Sequence, residues 1–385
     1  MPTMNLLTEP LLRVRSGSAE RALSLPALMA ALGRESDVSL PGLQRHQADA
    51  FHVFLCYLAG AVLARAGEHD PIQDETFWRE GLRALAGEAG DDAWTLVVED
   101  LARPAFMQPP IPPREHGKLK LKATTPDALD LLPTAKNHDV KQARAAHAHP
   151  DEWVYALVSL QTMSGFFGRG NQGISRMNSG FGNRPVVELV RSLDPAPRWR
   201  DAVPRLLRHR QEILEGSNPW RFGPDGLVLV WLREWDGRTS LATGELDPCY
   251  VEVCRRIRLR AADGDPMHAE ALPADSPRIA ARELNGVVGD AWLPVDVTGS
   301  EQTSLTVSPQ GLTADLLRRL LFADGLQMTS LHRPGPDWQG PLWLSVSVLV
   351  RGKGTTDGFH ERELPIPAEA RPRLFGPPQL RERFA

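Results

Sequence analysis

The segment from Ser164 to Pro185, SGFFGRGNQGISRMNSGFGNRP, holds six glycines, three arginines and three asparagines with almost no aliphatic side chains. Gly165, Gly168, Gly170, Gly173, Gly180 and Gly182 permit positive φ and let another molecule approach bare backbone, which a buried strand or helix has no use for. Arg169, Arg176 and Arg184, with the amides of Asn171, Gln172, Asn178 and Asn183, are donors suited to phosphate oxygens and base edges. The expected ligand is a polyanion, and the whole segment is expected to lie outside the core.

Other basic stretches could share that task. Between Arg103 and Pro133, a region with seven prolines, KLKLK places Lys118, Lys120 and Lys122 on one face of an edge strand. Such lysines blunt edge pairing and attract phosphate, though a plain solvated edge is the more ordinary account of such a charge run. PTAKNHDVKQAR gathers Lys136, Asn137, His138, Asp139, Lys141 and Arg144 into a second contact loop. RRIRLR, with Arg255, Arg256, Arg258 and Arg260, suits a strand with an arginine face, and RLLRHRQEIL suits an amphipathic helix with a basic flank. LWLSVSVLV alternates as a strand and runs into Arg351–Gly358, with Phe359–Leu364 as the return. That hairpin presents a basic, glycine-rich tip, as a β-ribbon entering a groove would.

Two enzymatic chemistries compete with binding. Gly168 to Gly173 matches the dinucleotide fingerprint G-x-G-x-x-G, but Trp153, Ala156, Leu157 and Leu160 recur at helical spacing just before it, where the fingerprint needs a strand. His138-Asp139 could serve as the metal dyad of a phosphohydrolase or nuclease, helped by His116, His147 and His149, yet their flanks are lysines, a proline and polar loop rather than helices carrying further ligands. No cofactor or metal site is expected. Cys56, Cys249 and Cys254 are odd in number with no C-x-x-C pair, which supports neither a disulfide framework nor a zinc site.

These stretches need a scaffold. Leu25, Leu28, Met29 and Leu32, then Phe51 through Leu63, then Phe77, Leu82 and Leu85 recur at helical spacing, and Trp94–Leu101 reads as a further helical segment. LVLVWLREW, from 227 to 235, reads as a strand closed by the turn Asp236-Gly237-Arg238-Thr239. With 385 residues, 33 prolines and 32 glycines, the fold class expected is α+β (mixed α/β), loop-rich and irregular. No stretch has the eighteen or so apolar residues of a membrane span, so no membrane partner is expected and a cytoplasmic location is. A net charge of −4 suits contact with nucleic acid through local patches inside an assembly.

The ordered series MNLLTEPLLRVR, LSLPALMAAL, FMQPP, TAKNHDVK, the glycine segment, WDGRTSL and ELDPCYVEVCRRIRLR resembles the large subunit (CasA) of the type I-E CRISPR surveillance complex, Cascade, over essentially the whole chain. The resemblance implies an irregular α/β N-terminal domain over residues 1–365, no catalytic activity, and a place in a complex with CRISPR RNA. It further implies recognition of the protospacer-adjacent motif on double-stranded DNA, largely through the minor groove, and help in opening the duplex for R-loop formation.

Carried over by motif, the family's glycine loop falls on Gly168, Arg169, Gly170 and Asn171. Its wedge hairpin falls on Lys353 to Gly358, with Thr355 and Thr356 where relatives place amides, so that Lys353 is the alternative wedge residue. Its loop for the RNA 5′ handle and the handle-capping subunit falls on Lys136, Asn137 and His138, and its basic motif-reading finger on Arg238. Implied partners are CRISPR RNA, target duplex, the backbone and capping subunits, and a nuclease or helicase-nuclease. A Pro/Arg-rich tail, 366–385, stands where family members continue into a four-helix bundle. The expectation is a chain without that bundle, either a natural variant or a shortened form.

Overall fold

In the computed structural model, residues 4–130, 148–178, 182–261, 266–335, 338–351 and 356–376 are described. The elements in order are β1 (Leu12–Ser16), β2 (Ala19–Leu23), α1 (Leu25–Arg34), α2 (Arg45–Ala66), α3 (Glu75–Ala86), β3 (Lys120–Ala123), α4 (Pro126–Asp130), α5 (Pro150–Met163), β4 (Val186–Val190) and α6 (Pro195–Glu215). There follow β5 (Leu227–Leu229), β6 (Leu241–Ala242), β7 (Leu246–Val251), β8 (Arg256–Arg260), β9 (His268–Leu272), β10 (Ile279–Ala280), β11 (Val295–Asp296), β12 (Thr303–Ser304), α7 (Ala314–Phe322), β13 (Leu326–Gln327), β14 (Trp343–Arg351), β15 (Thr356–Pro365) and α8 (Arg371–Phe375). Helices and several small sheets make a mixed α+β fold.

Local chemistry fixes the helix starts. The Ser24 hydroxyl accepts from the Ala27 N–H at 3.3 Å and the Asp74 carboxylate from the Phe77 N–H at 2.8 Å, each satisfying a donor that the first turn leaves unpaired. Trp94–Leu101 departs from the helical expectation. A 3-10 segment covers Gly87–Trp94, after which Leu96 N–H donates to the Met4 carbonyl at 3.1 Å and Leu6 N–H to the Trp94 carbonyl at 2.9 Å. The N-terminal stretch of chain thus takes the hydrogen bonds a helix would have used. The strand expected over 227–235 stops at Leu229, because Arg278 takes the carbonyls of Val230, Arg233 and Glu234.

Among the described residues, two large apolar cores and two small clusters result. The first gathers α1, α2, α3, α5 and α6 around Trp78, Trp94, Trp153, Trp199, Trp231 and Trp292. At its centre is α2, apolar on nearly every side and long enough to cross a bilayer, but packed here against α6, α5, β7 and α3. The second lies between the β15-β14-β4 sheet and α7. Strand alternation divides the sheet between them: Leu344, Val346, Val348 and Val350 enter the second core, while Ser347 faces the first and donates to Asp49. On β4, Val187 and Leu189 follow the first pattern and Glu188 the second.

Glu188 ties the sheet to the helices. Arg198 reaches it at 3.1 Å, His52 at 3.3 Å and the Trp292 indole N–H at 3.3 Å, and Arg198 also pairs with Asp49 at 2.6 Å. Burial pushes this carboxyl up, but Arg198, His52 and Arg205 overcome it and hold it at about 2. Burial has the opposite sign on an imidazole and lowers His332 to about 4, against its hydrogen bond to the Trp292 carbonyl. Both folded values lie below the ordinary ones of ~4.3 and ~6.5, so the unfolded chain binds the proton first in each case. Stability should therefore decline as pH falls through roughly 6.5 to 4 and decline further from about 4.3 towards 2. Thermal melts across this range check it; a melting temperature that does not drop on acidification contradicts it.

Candidate nucleic-acid interface

The glycine segment divides in two. Its first half leaves the end of α5 at Met163 and folds into a tight loop in which Asn171 N–H donates to the Gly168 carbonyl at 3.0 Å and Phe167 N–H to the Asn171 carbonyl at 2.9 Å. Gly168 and Gly170 take φ of +84° and +86°, and the Gly170 carbonyl accepts from Ala274 N–H at 2.9 Å. A Cβ on Gly170 would stand 2.7 Å from the Pro273 Cβ. Gly170→Ala should thus lower stability by about 1–2 kcal/mol from the left-handed backbone alone, read as a drop in melting temperature, and should displace the loop from Pro273.

Pro273–Ser276 is gripped from its other side by the turn at Asp236–Thr239. The Gly237 carbonyl accepts from Asp275 N–H at 2.7 Å and Ser276 N–H at 3.0 Å. The turn is set by Asp236, whose Oδ1 accepts from Thr239 N–H at 2.8 Å and Arg238 N–H at 2.9 Å, and these bonds hold its carboxyl below the usual range. Gln172 Nε2 donates to the Ala274 carbonyl at 3.0 Å and the Asp275 carbonyl at 3.1 Å, stitching loop to segment. Gly168–Asn171 and Arg238, far apart in sequence, thereby form one surface ridge with Arg169 and Arg238 exposed. Arg169 has no hydrogen-bond or ion-pair partner among the described residues, so its donors are available. Behind the ridge a cleft of about 420 Å³ opens between Gln172–Ser175 and Asp275–Pro277.

Contrary to expectation, much of the described second half, Ile174–Asn178 and Gly182–Pro185, is buried, while residues 179–181 lie outside the described residues. Arg176 is buried over the Tyr250 ring at 3.7 Å and the Tyr57 ring at 4.9 Å, and pairs with Glu252 at 3.4 Å and Asp290 at 3.7 Å. Arg184 pairs with Asp290 at 2.6 Å, and Asn183 exchanges two hydrogen bonds with the backbone of Val307. Three of the four arginines of RRIRLR are structural as well, Arg260 alone of them being part-exposed. Arg258 is fully buried on the carbonyls of Arg103 and Val98, Arg255 donates to the Gly165 and Gln172 carbonyls, and Arg256 donates to Glu115 and to the Pro273 carbonyl. Arg255 and Arg256 position the ridge from beneath rather than contact a ligand. In α6, Arg205 and Arg210 are also buried, leaving Arg208 on the solvated side.

The expected lysine edge is present in part: β3 is the outer strand of the β3-β9-β8 sheet with Lys120, Leu121 and Lys122 exposed, but Lys118 belongs to the 3-10 segment before it and a register shift between Leu121 and Ala123 breaks the one-face alternation. Its neighbour β9 runs directly into Pro273, so the lysine edge continues into the ridge. The long hairpin is also present as β14 and β15, with Thr356 opposite Arg351 in register. Lys353 and Thr355 at its tip, and Lys136, Asn137, His138 and Asp139, lie outside the described residues. The strand the dinucleotide fingerprint would need is replaced by α5. His116 bonds the Ile111 carbonyl and His149 precedes α5, while all three cysteines are buried and outside any disulfide.

No protein-family model and no curated protein sequence matches the chain. Solved structures do. CasA from Thermus thermophilus is 15% identical with a TM-score of 0.56, covering 95% of this chain and 73% of that one. The CRISPR-associated protein Cse1 from Acidimicrobium ferrooxidans is 16% identical with a TM-score of 0.57, covering 94% and 70%. A chain of a CRISPR RNA-guided surveillance complex is 15% identical with a TM-score of 0.57, covering 96% and 76%. The chain therefore has the fold of the CasA/Cse1 proteins of type I-E Cascade.

Proposed function

We propose that this chain is a non-catalytic subunit of an RNA-guided CRISPR surveillance complex that recognises the protospacer-adjacent motif on double-stranded DNA through the minor groove and assists duplex opening. The observation that carries the reading is the meeting of Gly168–Asn171 and Arg238 on Pro273–Ser276, which sets bare backbone beside two exposed guanidiniums. Backbone without side chains can approach a narrow groove, and guanidiniums answer its acceptors and the flanking phosphates. The lysine edge of β3 extends the positive surface. Lys353, Thr355 and Thr356 at the hairpin tip are assigned to strand separation, and Lys136, Asn137 and His138 to the RNA handle and its capping subunit. CRISPR RNA, the other Cascade subunits and a nuclease or helicase-nuclease are the partners, and the cytoplasm the location.

The test is equilibrium binding of a target duplex by the reconstituted complex, with this chain present and omitted, over a range of salt. Tighter binding with the chain, falling steeply as salt rises, is expected because phosphate contacts release counterions. Equal affinity without the chain contradicts the proposal. So does DNA cleavage by the purified chain with divalent metal that stops on His138→Ala or Asp139→Ala.

A further inference from the structure

One carboxylate stands among the groups that would face DNA. Asp275 lies on the segment held between Gly170 and Gly237, and its side chain is 63% exposed. Its backbone is fixed at both ends, the N–H on the Gly237 carbonyl at 2.7 Å and the carbonyl on Gln172 Nε2 at 3.1 Å. The neighbouring Asp236 commits its oxygens to the turn, whereas the described partner of the Asp275 carboxylate is Arg238 at 3.6 Å, beyond hydrogen-bond length. The ridge thus holds a carboxylate with free acceptor positions, in a fixed place, beside a cation that offsets its charge.

On a surface meant for a polyanion, an acceptor of this kind is repelled unless the ligand supplies a donor. The floor of the minor groove presents acceptors at every base pair, and its one donor is the N2 amino group of guanine. We propose that Asp275 accepts a hydrogen bond from a guanine N2 amino group, so that the recognised motif contains a G·C pair under Pro273–Ser276. At an A·T pair the same carboxylate would face the N3 and O2 lone pairs and disfavour binding. Arg169 and Arg238 supply affinity on either side, and Asp275 supplies discrimination. This inference rests on the minor-groove reading above.

The probe is a series of target duplexes in which each guanine of the flanking motif, one at a time, is replaced by hypoxanthine, which keeps the pairing but lacks the amino group. Binding is measured with the reconstituted complex carrying wild-type chain or Asp275→Ala; the exposed side chain makes no buried contact, so the variant should fold. Loss of a hydrogen bond to a charged acceptor should weaken wild-type binding about tenfold to a hundredfold at one position, while Asp275→Ala should not distinguish the two bases there. Wild-type binding that depends on the motif but not on any amino group overturns the assignment, as does an equal loss in Asp275→Ala. Wild-type binding with no dependence on the flank at all overturns the minor-groove reading itself, and this assignment with it.

Discussion

Replacing Asp290 by alanine should destabilise the protein by about 3–5 kcal/mol, the range expected when one partner of a buried ion pair is removed. Asp290 is buried and serves two cations, Arg184 at 2.6 Å and Arg176 at 3.7 Å, and also accepts from the Tyr57 hydroxyl at 3.1 Å. Glu252 cannot take its place, since it meets Arg176 alone, at 3.4 Å, and its remaining acceptors serve Ser175. Alanine would therefore leave Arg184 as an uncompensated charge in a space closed to water. Asp290→Asn should be milder in packing yet still lose the charge, so both variants should melt well below wild type by denaturant or heat. A change within the ~0.5 kcal/mol typical of surface substitutions would contradict the placement of these arginines in the core.

The second large effect is on binding. Arg169→Ala together with Arg238→Ala should weaken duplex binding by the complex roughly tenfold or more and flatten the dependence of log affinity on log salt by about two, one for each phosphate no longer neutralised. Both side chains are exposed, and the Arg238–Asp275 pair at 3.6 Å is a surface ion pair that adds little to folding. Stability should accordingly stay near wild type, separating these arginines from Arg176 and Arg184 of the same sequence neighbourhood. If the double variant bound with unchanged affinity and salt dependence, the ridge would not be the contact surface.

That contrast also shows what could be read in advance. Helical spacing of the large apolar residues in Phe51–Leu63 and in Trp153–Leu160, and the alternation of Leu and Val with Ser in Leu344–Val350, made α2, α5 and β14 legible, although all three are buried on more than one side. The loop at Gly168–Asn171 was legible from its glycines and polar residues, and the solvated edge at β3 from its lysines. Composition could not say which arginines of a glycine-rich segment are buried, because the answer lies in acids 76 and 106 residues away, Glu252 for Arg176 and Asp290 for Arg184. Pro273–Ser276, with the sequence PADS, carries no glycine or cation to mark it. Its part in the ridge comes only from pairing with Gly170 and Gly237, contacts between distant stretches that no local pattern announces. The two-residue strands β6, β10, β11, β12 and β13 are likewise too short to carry a period.

The central claim is motif recognition, and binding of the reconstituted complex to a target duplex whose flanking base pairs are randomised tests it most directly. The bound pool should be enriched for a restricted set of flanks when the chain is present, and that enrichment should vanish when the chain is omitted. A bound pool with the same flanking composition as the input would contradict the account.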